Sequence, residues 1–341
     1  MTYQSAGVDI EEAQRVLRSV ATSIRNTHDD RVIGGVGGFG AMFAANFAEY
    51  ERPVLVSSID GVGTKTKVAA MTDLFDGLGH DLVNHCVNDI LCQGAKPLFF
   101  LDYYGCSKLV GTRFESVVTS LADACRAADC ALIGGETAEL PGVYHDDEID
   151  LVGSIVGVVD FERKLPRAKM QAGDQVIGLA SSGLHTNGYS LARRALFDHA
   201  GLSVRDEVPG LGATIGEELM RPHRCYLKSV MPLLNDVPEV FALAHITGGG
   251  LADNIQRVIP ADIRVSIDRR SWTPLPIFSL IQQSGNVPSS EMYRTFNMGI
   301  GFVLIVAREV AGAVVQRLQQ AGENAAVIGE IQRGPHDVQI V

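Results

Sequence analysis

The sequence has no Cys-x-x-Cys pair, no apolar run approaching a membrane span and no excess of positive charge. Its six cysteines, Cys86, Cys92, Cys106, Cys125, Cys130 and Cys225, lie mostly in apolar stretches. They read as small buried hydrophobes, without zinc-ligand spacing. A membrane span needs about 20 consecutive apolar residues. The opening stretch MTYQSAGVDIEEAQ has neither the basic segment nor the apolar core of a secretory signal, so the expected compartment is the cytoplasm. A formal charge of -11 argues against a nucleic-acid surface. Backbone N–H groups, a few lysines and a metal can still hold a nucleotide on an acidic chain. The G-x-x-x-x-G-K-[ST] phosphate loop is also missing, and no Ser-His-Asp order is defensible.

What is present is 341 residues, 46% hydrophobic and 20% charged, enough for two domains of ordinary size. In the first half, helical spacing over 9–27, 79–94 and 111–128 alternates with strands at 53–59, 97–104, 130–135 and 149–160. Residues 161–174 break the apolar pattern with charge, a proline and a glycine, which places domains at 1–165 and 166–341. The second half offers strands at 174–181, 241–247, 299–307 and 325–331, and helices at 251–259, 274–284 and 308–321. The expected class is α/β (α+β), with a mixed sheet and helices in each domain. Glycine-rich turns follow strands in both halves, a loose echo rather than a repeat.

Several of the 36 glycines sit in clusters that suggest ligand loops. In SIDGVGTKTK (58–67), Asp60 stands at a strand end, Gly61 and Gly63 turn backbone N–H groups toward an anion, and Lys65 can neutralise a phosphate. A carboxylate cannot bind a phosphate directly, so Asp60 calls for a bridging Mg²⁺. The alternative is a capped turn before a helix. The run Gly35–Gly40 matches G-x-G-x-x-G, but the polar RNTHDDRVI before it supplies no strand, which removes the dinucleotide reading. A loop that covers phosphates and a plain turn both stay open.

Asp81, His85 and Asp89 recur every four residues, with Asn88 adjacent, as either a solvated helix face or a metal-binding one. Asp89 is a candidate second carboxylate for Mg²⁺, whereas His85 reads as a packing or surface residue. In GGETAELPG (134–142), Glu136 is a third metal candidate at a strand end and Glu139 a turn cap. In SSGLHTNGYS (181–190), His185 is a candidate proton carrier. In HITGGGLADN (245–254), three glycines open a helix where a monophosphate can dock. The first half thus suits a nucleoside triphosphate with Mg²⁺, and the second a phosphorylated small molecule.

The strings GGVGGFGAMF, SSIDGVGTKTK, DLVNHCVNDILCQGAKPLFFLDYY, ALIGGETAELPGVY, GLASSGLHTNGYSL, LAHITGGGLADNIQRVIP and EMYRTFNMGIGFVLIV, with YQSAGVDI ahead of them, occur in order and with one spacing. Together they resemble the phosphoribosylformylglycinamidine cyclo-ligase family, from about residue 3 to 330. The resemblance implies ATP-dependent closure of formylglycinamidine ribonucleotide to aminoimidazole ribonucleotide, the fifth step of purine synthesis. It also implies two α/β domains, a homodimer paired through the N-terminal domains, and no nucleic-acid or membrane partner. By the same resemblance Asp60, Asp89 and Glu136 hold Mg²⁺. ATP falls to Gly37, Gly38, Gly40, Asp60, Gly61, Thr64, Lys65, Asp89, Gly135 and Glu136, and the substrate to Ser182, His185, Asn187, Thr247, Gly248, Gly249 and Gly250. His185, Asp60 and Lys65 are the implied catalytic residues. One departure is Ala21, where the family carries a lysine; Arg18 or Arg25 would have to substitute. A nucleotide-binding scaffold subunit is the rival from another class.

Overall fold

The structure is a computed structural model that describes residues 10–341. The chain divides into two compact units. One runs to Ile90 and resumes over Ala95–Glu162; the other comprises Leu91–Gly94 and Arg163–Val341. Among the described residues, no helix is long and apolar enough to cross a membrane.

The first unit holds α1 (Ile10–Arg25), β1 (Val32–Ile33), β2 (Met42–Phe43), β3 (Pro53–Gly61), α2 (Lys65–Thr72), α3 (Leu78–Leu91), β4 (Lys96–Cys106), α4 (Gly111–Ala127), β5 (Ala131–Glu139) and β6 (Ile149–Asp160). Four strands form one sheet in the order β3-β6-β4-β5. β6 is antiparallel to both neighbours, and β4 and β5 are parallel, joined through α4. Along β6 buried Ile149, Leu151, Gly153 and Ile155 alternate with half-buried residues, as a strand with one covered face requires.

Helix α3 lies on that covered face because two glycines let it approach. A Cβ on Gly153 would stand 2.9 Å from Leu82, and one on Gly157 would stand 2.7 Å from Ile90. Leu82 and Ile90 are about 12 Å apart along a helix. Gly153 and Gly157 are about 13–14 Å apart along a strand, so the two spacings match. α1 packs on α4 and β5 through Val16, Val20 and Ile24, a four-residue repeat on one face. The opposite sheet face is open, with Leu55 61%, Ile59 69% and Leu101 36% exposed.

The second unit contains β7 (Gln175–Ala180), α5 (Tyr189–Arg193) with a π-helical turn at Arg194–His199, α6 (Ile215–Leu219), α7 (Leu227–Asp236), β8 (Val240–His245), α8 (Gly250–Gln256), β9 (Ile263–Ile267), α9 (Pro276–Gly285), α10 (Ser289–Thr295), β10 (Ile300–Val306), α11 (Ala311–Gln320), β11 (Ala325–Arg333) and β12 (Asp337–Ile340). Its sheet runs β12-β9-β11-β7-β10-β8, antiparallel except for the β12–β9 pair. β8 and β10 are buried along their whole length, which explains their unbroken apolar sequences. A core of Val265, Ile267, Val303, Ile305, Leu251 and Ile255 fastens α8 to this sheet.

The long apolar segments form helices and strands where their periodicity predicts. The short ones do not announce themselves: β9, β12, α6 and α10 carry too few residues for a period, and α7 runs through Pro232. Tight helix crossing gives a direct test of this packing. Gly79, on α3, would bring a Cβ to 2.1 Å from the Leu121 nitrogen of α4. Gly79→Ala should therefore destabilise the first unit by about 1–3 kcal/mol or more, measured by chemical denaturation.

Candidate functional site

In the first unit, strand alternation turns Ser58 and Asp60 toward α3 while Leu55 and Ile59 face the other way. On α3, Asp81, His85 and Asp89 share one face, and that face lies against the sheet. Asp81 is 0% and His85 4% exposed, so the polar face is not a solvated one. His85 Nε2 sits 2.7 Å from Asp60 Oδ2 and 4.0 Å from Asp89 Oδ2. Ser58 Oγ donates to Asp89 Oδ2 at 2.9 Å, and the Gly61 N–H donates to Asp60 Oδ1 at 2.7 Å.

These contacts polarise the titrations. Burial pushes the Asp60 carboxyl up, but the hydrogen bond and charge of His85 and the Gly61 N–H outweigh it, leaving its pKa below the usual aspartate value. Burial likewise pushes the His85 imidazole down, and Asp60, Asp89 and Asp81 outweigh that, leaving it above the usual histidine value. The His85 imidazole stands between two carboxylates. Their side chains stay 40% (Asp60) and 29% (Asp89) exposed, with oxygen atoms at an open edge. That donor set fits a hard divalent cation such as Mg²⁺. His85, expected to be a packing or surface residue, is the centre of the cluster.

Glu136 does not join it. β5 continues through Gly135 and Glu136 to Glu139, so the expected strand end is not there. In register, Asp60 pairs with Gly153, Gly153 with Asp102, and Asp102 with Gly135, while Glu136 pairs with Tyr103. Directly paired residues share a face, so Glu136 projects from the sheet face opposite Asp60. Glu139 accepts from the N–H of Leu109, in the loop between β4 and α4, at 2.7 Å. The residue that does share the Asp60 face is Asp102, whose carboxyl burial pushes up to about 7 against the pull of its own N–H. A lone acid inside the apolar run PLFFLDYY was the available signal.

Lys65 also departs from expectation. It opens α2 after Thr64 and is 0% exposed. Its Nζ donates to Asp81 Oδ1 at 2.8 Å, so its charge meets a buried carboxylate rather than a phosphate in solvent. Burial lowers its pKa, with Asp81 opposing. The glycine loop is different: β1 and β2 form a two-residue ribbon, and Gly37, Gly38 and Gly40 lie exposed at its tip with a fully exposed Phe39. Arg18, Ala21 and Arg25 share one face of α1, where both arginines are exposed.

In the second unit, the loop after β7 is held by Asn297. Ser181 Oγ donates to Asn297 Oδ1 at 3.1 Å, and Asn297 Nδ2 donates to the Gly183 carbonyl at 2.9 Å. His185 is 0% exposed and adopts a left-handed backbone, φ 62°. The Ser182 N–H donates to His185 Nε2 at 3.2 Å, which places the hydrogen of a neutral ring on Nδ1. An amide N–H that does not titrate occupies the Nε2 lone pair. As placed, His185 orders its loop through Nε2.

His223, from the segment before α7, stacks on His185 with centroids 4.0 Å apart and planes 21° apart. His223 Nε2 lies 2.9 Å from His245 Nε2. Three clustered imidazoles suggest a metal, but the lone pairs lie in the ring planes. Those of two stacked, nearly parallel rings run side by side and do not converge on one ion. Neither His223 nor His245 carried a sequence signal tying it to His185.

The triglycine turn is built from both sides. Asn187 Oδ1 accepts from the Gly248 N–H at 3.0 Å, and the Gly250 N–H donates to the Thr247 carbonyl at 3.1 Å. Asn254 Nδ2 donates to the carbonyls of Thr247, Gly248 and Gly250 at 3.3, 3.2 and 2.8 Å. Two of the N–H groups expected to bind phosphate are therefore engaged internally, and α8 is only seven residues long. Glycine is required at 250, where φ is 64° and a Cβ would stand 1.9 Å from the Tyr293 carbonyl. The Nδ2 of Asn187 is buried with no acceptor among the described residues, so this loop retains a donor for a ligand oxygen. Ser182 Oγ is bonded to the Pro222 carbonyl at 2.6 Å.

Two family models match the chain in sequence order. AIR synthase related protein, N-terminal domain, covers residues 44–159, and AIR synthase related protein, C-terminal domain, covers 171–341. The chain is thus an AIR synthase related protein. Phosphoribosylformylglycinamidine cyclo-ligase of Alkaliphilus oremlandii is 44% identical over 338 residues, 99% of either chain. That of Geobacter metallireducens is 48% identical over 333 residues, 98% of this chain and 95% of its own. The chain belongs to the phosphoribosylformylglycinamidine cyclo-ligase family. Among solved structures, thiamine-monophosphate kinase from Stenotrophomonas maltophilia superposes with a TM-score of 0.67 at 15% identity, covering 95% of each chain. The E. coli hydrogenase maturation protein HypE also gives 0.67, at 18% identity, covering 96% of this chain and 94% of its own. At such identities the likeness is one of fold.

The Lys65–Asp81 pair yields a prediction that separates a structural lysine from a catalytic one. Lys65→Ala leaves a buried carboxylate uncompensated and should cost about 3–5 kcal/mol of stability. The double variant Lys65→Met with Asp81→Leu should recover most of that loss in thermal or urea unfolding.

Proposed function

We propose that this chain catalyses the ATP-dependent closure of formylglycinamidine ribonucleotide to 5-aminoimidazole ribonucleotide, the fifth step of purine synthesis, in the cytoplasm. Family membership over nearly the whole chain carries this reading. The chemistry has a clear obstacle: an amide oxygen is a poor leaving group. ATP phosphorylates the formyl oxygen to give an iminophosphate and ADP. The amidine nitrogen then attacks that carbon, the C–O bond breaks, and inorganic phosphate departs with the oxygen. Such a transfer depends on positioning and charge stabilisation more than on covalent catalysis.

Asp60 and Asp89 are the residues that would hold Mg²⁺, with His85 fixing both. Bound there, Mg²⁺ supplies charge neutralisation for the triphosphate. Glu136 is left out of this set. The exposed Gly37, Gly38 and Gly40 are the proposed cover over the phosphates, because they stand clear of the sheet at the tip of the β1–β2 ribbon. Asp60, Gly61 and Thr64 stand at the end of β3, Asp89 lies against Ser58, and Lys65 anchors the start of α2 through Asp81. In the second unit, Asn187 Nδ2 and the turn of Thr247, Gly248, Gly249 and Gly250 are the proposed contacts for the substrate phosphate. Ser182 and His185 shape the loop beside them.

The direct test is turnover of the purified chain with formylglycinamidine ribonucleotide, ATP and Mg²⁺, following ADP and the aminoimidazole together. One ADP per imidazole is expected; ADP without imidazole would overturn the assignment. Asp60→Asn should lower kcat on the order of a hundredfold or more while leaving the circular dichroism unchanged.

We further propose that the chain works as a homodimer paired through the open face of the β3-β6-β4-β5 sheet. The observation in support is that Leu55, Ile59 and Leu101 lie exposed together there. Ile59→Lys should shift the sedimentation coefficient from dimer to monomer; a dimer unaffected by Ile59→Lys and Leu55→Lys together would exclude this surface.

A further inference from the structure

We propose that His223 is a positioning residue for the cyclisation: it holds His185 by stacking and His245 by an Nε2–Nε2 hydrogen bond, so that the three buried rings act as one unit. The proposal rests on the reaction assigned above.

His223 belongs to a segment tied to the His185 loop at three points. Ser182 Oγ donates to the Pro222 carbonyl at 2.6 Å, Thr186 Oγ1 lies 3.4 Å from His223 Nδ1, and the His185 and His223 rings stack. The other side of His185 is closed by β10, where a Cβ on Gly301 would stand 2.5 Å from His185 Cε1. His185 is thus clamped between an imidazole and a bare backbone. The clamp is needed, because a side chain with φ 62° sits in a backbone region that L-residues disfavour.

The bond from His223 to His245 has its own consequence. Two Nε2 atoms 2.9 Å apart admit a single hydrogen between them. The Thr186 hydroxyl, 3.4 Å from His223 Nδ1, is one group that biases its owner. When the hydroxyl donates to Nδ1, His223 carries its hydrogen on Nε2 and donates to His245. When the hydroxyl accepts from Nδ1–H, His245 is the donor. His223 is 1% and His245 5% exposed. One hydrogen is therefore shared at the centre of the unit, and His223 is the ring that touches both partners. Remove it and His185 loses one wall of its clamp while His245 loses its partner.

The experiment compares the full chain with His223→Ala and His223→Gln, whose planar amide keeps a donor and an acceptor. For His223→Ala, kcat should fall on the order of tenfold to a hundredfold, while KM for ATP stays within about twofold. His223→Gln should recover a large part of the loss. In ¹⁵N-imidazole NMR, the wild type should show His185 as the Nδ1–H tautomer, and His223→Ala should move the His185 and His245 signals. An Ala variant with kcat within about twofold of wild type and unmoved signals would falsify the proposal. Should His223→Ala fail to fold, the same readings on His223→Gln apply, with a smaller loss of kcat and moved signals supporting it. If the wild type closes no imidazole ring, the assigned reaction fails. The NMR then decides the ring unit alone, with unmoved signals overturning it.

Discussion

The first unit is organised by the burial of charge beneath α3. Gly153 and Gly157 let this helix lie close on β6, and that approach presses Asp81, His85 and Asp89 toward the sheet. A buried charge without a partner is far more costly than any contact nearby can offset. Each polar group on this face therefore meets a specific partner: Lys65 takes Asp81, Asp60 takes His85, and Ser58 takes Asp89. The partners come from β3 and α2, so the loop between them is held at both ends. What reads in isolation as an anion-binding turn has both flanks anchored to α3, through Asp60–His85 and Lys65–Asp81.

The second unit achieves order by neutral means. Asn297 holds the loop after β7, Asn254 gathers the carbonyls of the triglycine turn, and Asn187 links the two. Amide side chains suit this task because each both donates and accepts in fixed geometry. The difference follows the proposed ligands. Carboxylates around an imidazole leave an open edge suited to a cation that carries a triphosphate. A loop with a buried amide donor and glycines suits a single phosphate without a metal.

Part of this was legible beforehand. The alternating apolar segments of β6, β10 and α1 announce their elements, and the ordered motifs identify the family. Asp60 was readable as a candidate from its place at a strand end, and Asp89, beside Asn88, from the apolar residues around it. Glu136 misled because a glycine pair resembles a strand end, whereas β5 runs on to Glu139 and strand parity carries Glu136 to the far face. Lys65 misled because a lysine after glycines resembles a phosphate ligand until Asp81, sixteen positions later, is seen against it.

The sequence by itself determined which long segments become strands and helices, and the family to which the chain belongs. These depend on periodicity, backbone conformation and ordered motifs, all local to short stretches. Only the tertiary structure decided that His85 stands between two carboxylates, that Glu136 lies on the wrong face, and that His223 and His245 gather beside His185. Each of those facts depends on register or on contact between residues distant in the chain. Strand parity and packing set them, and neither leaves a local trace in the order of amino acids.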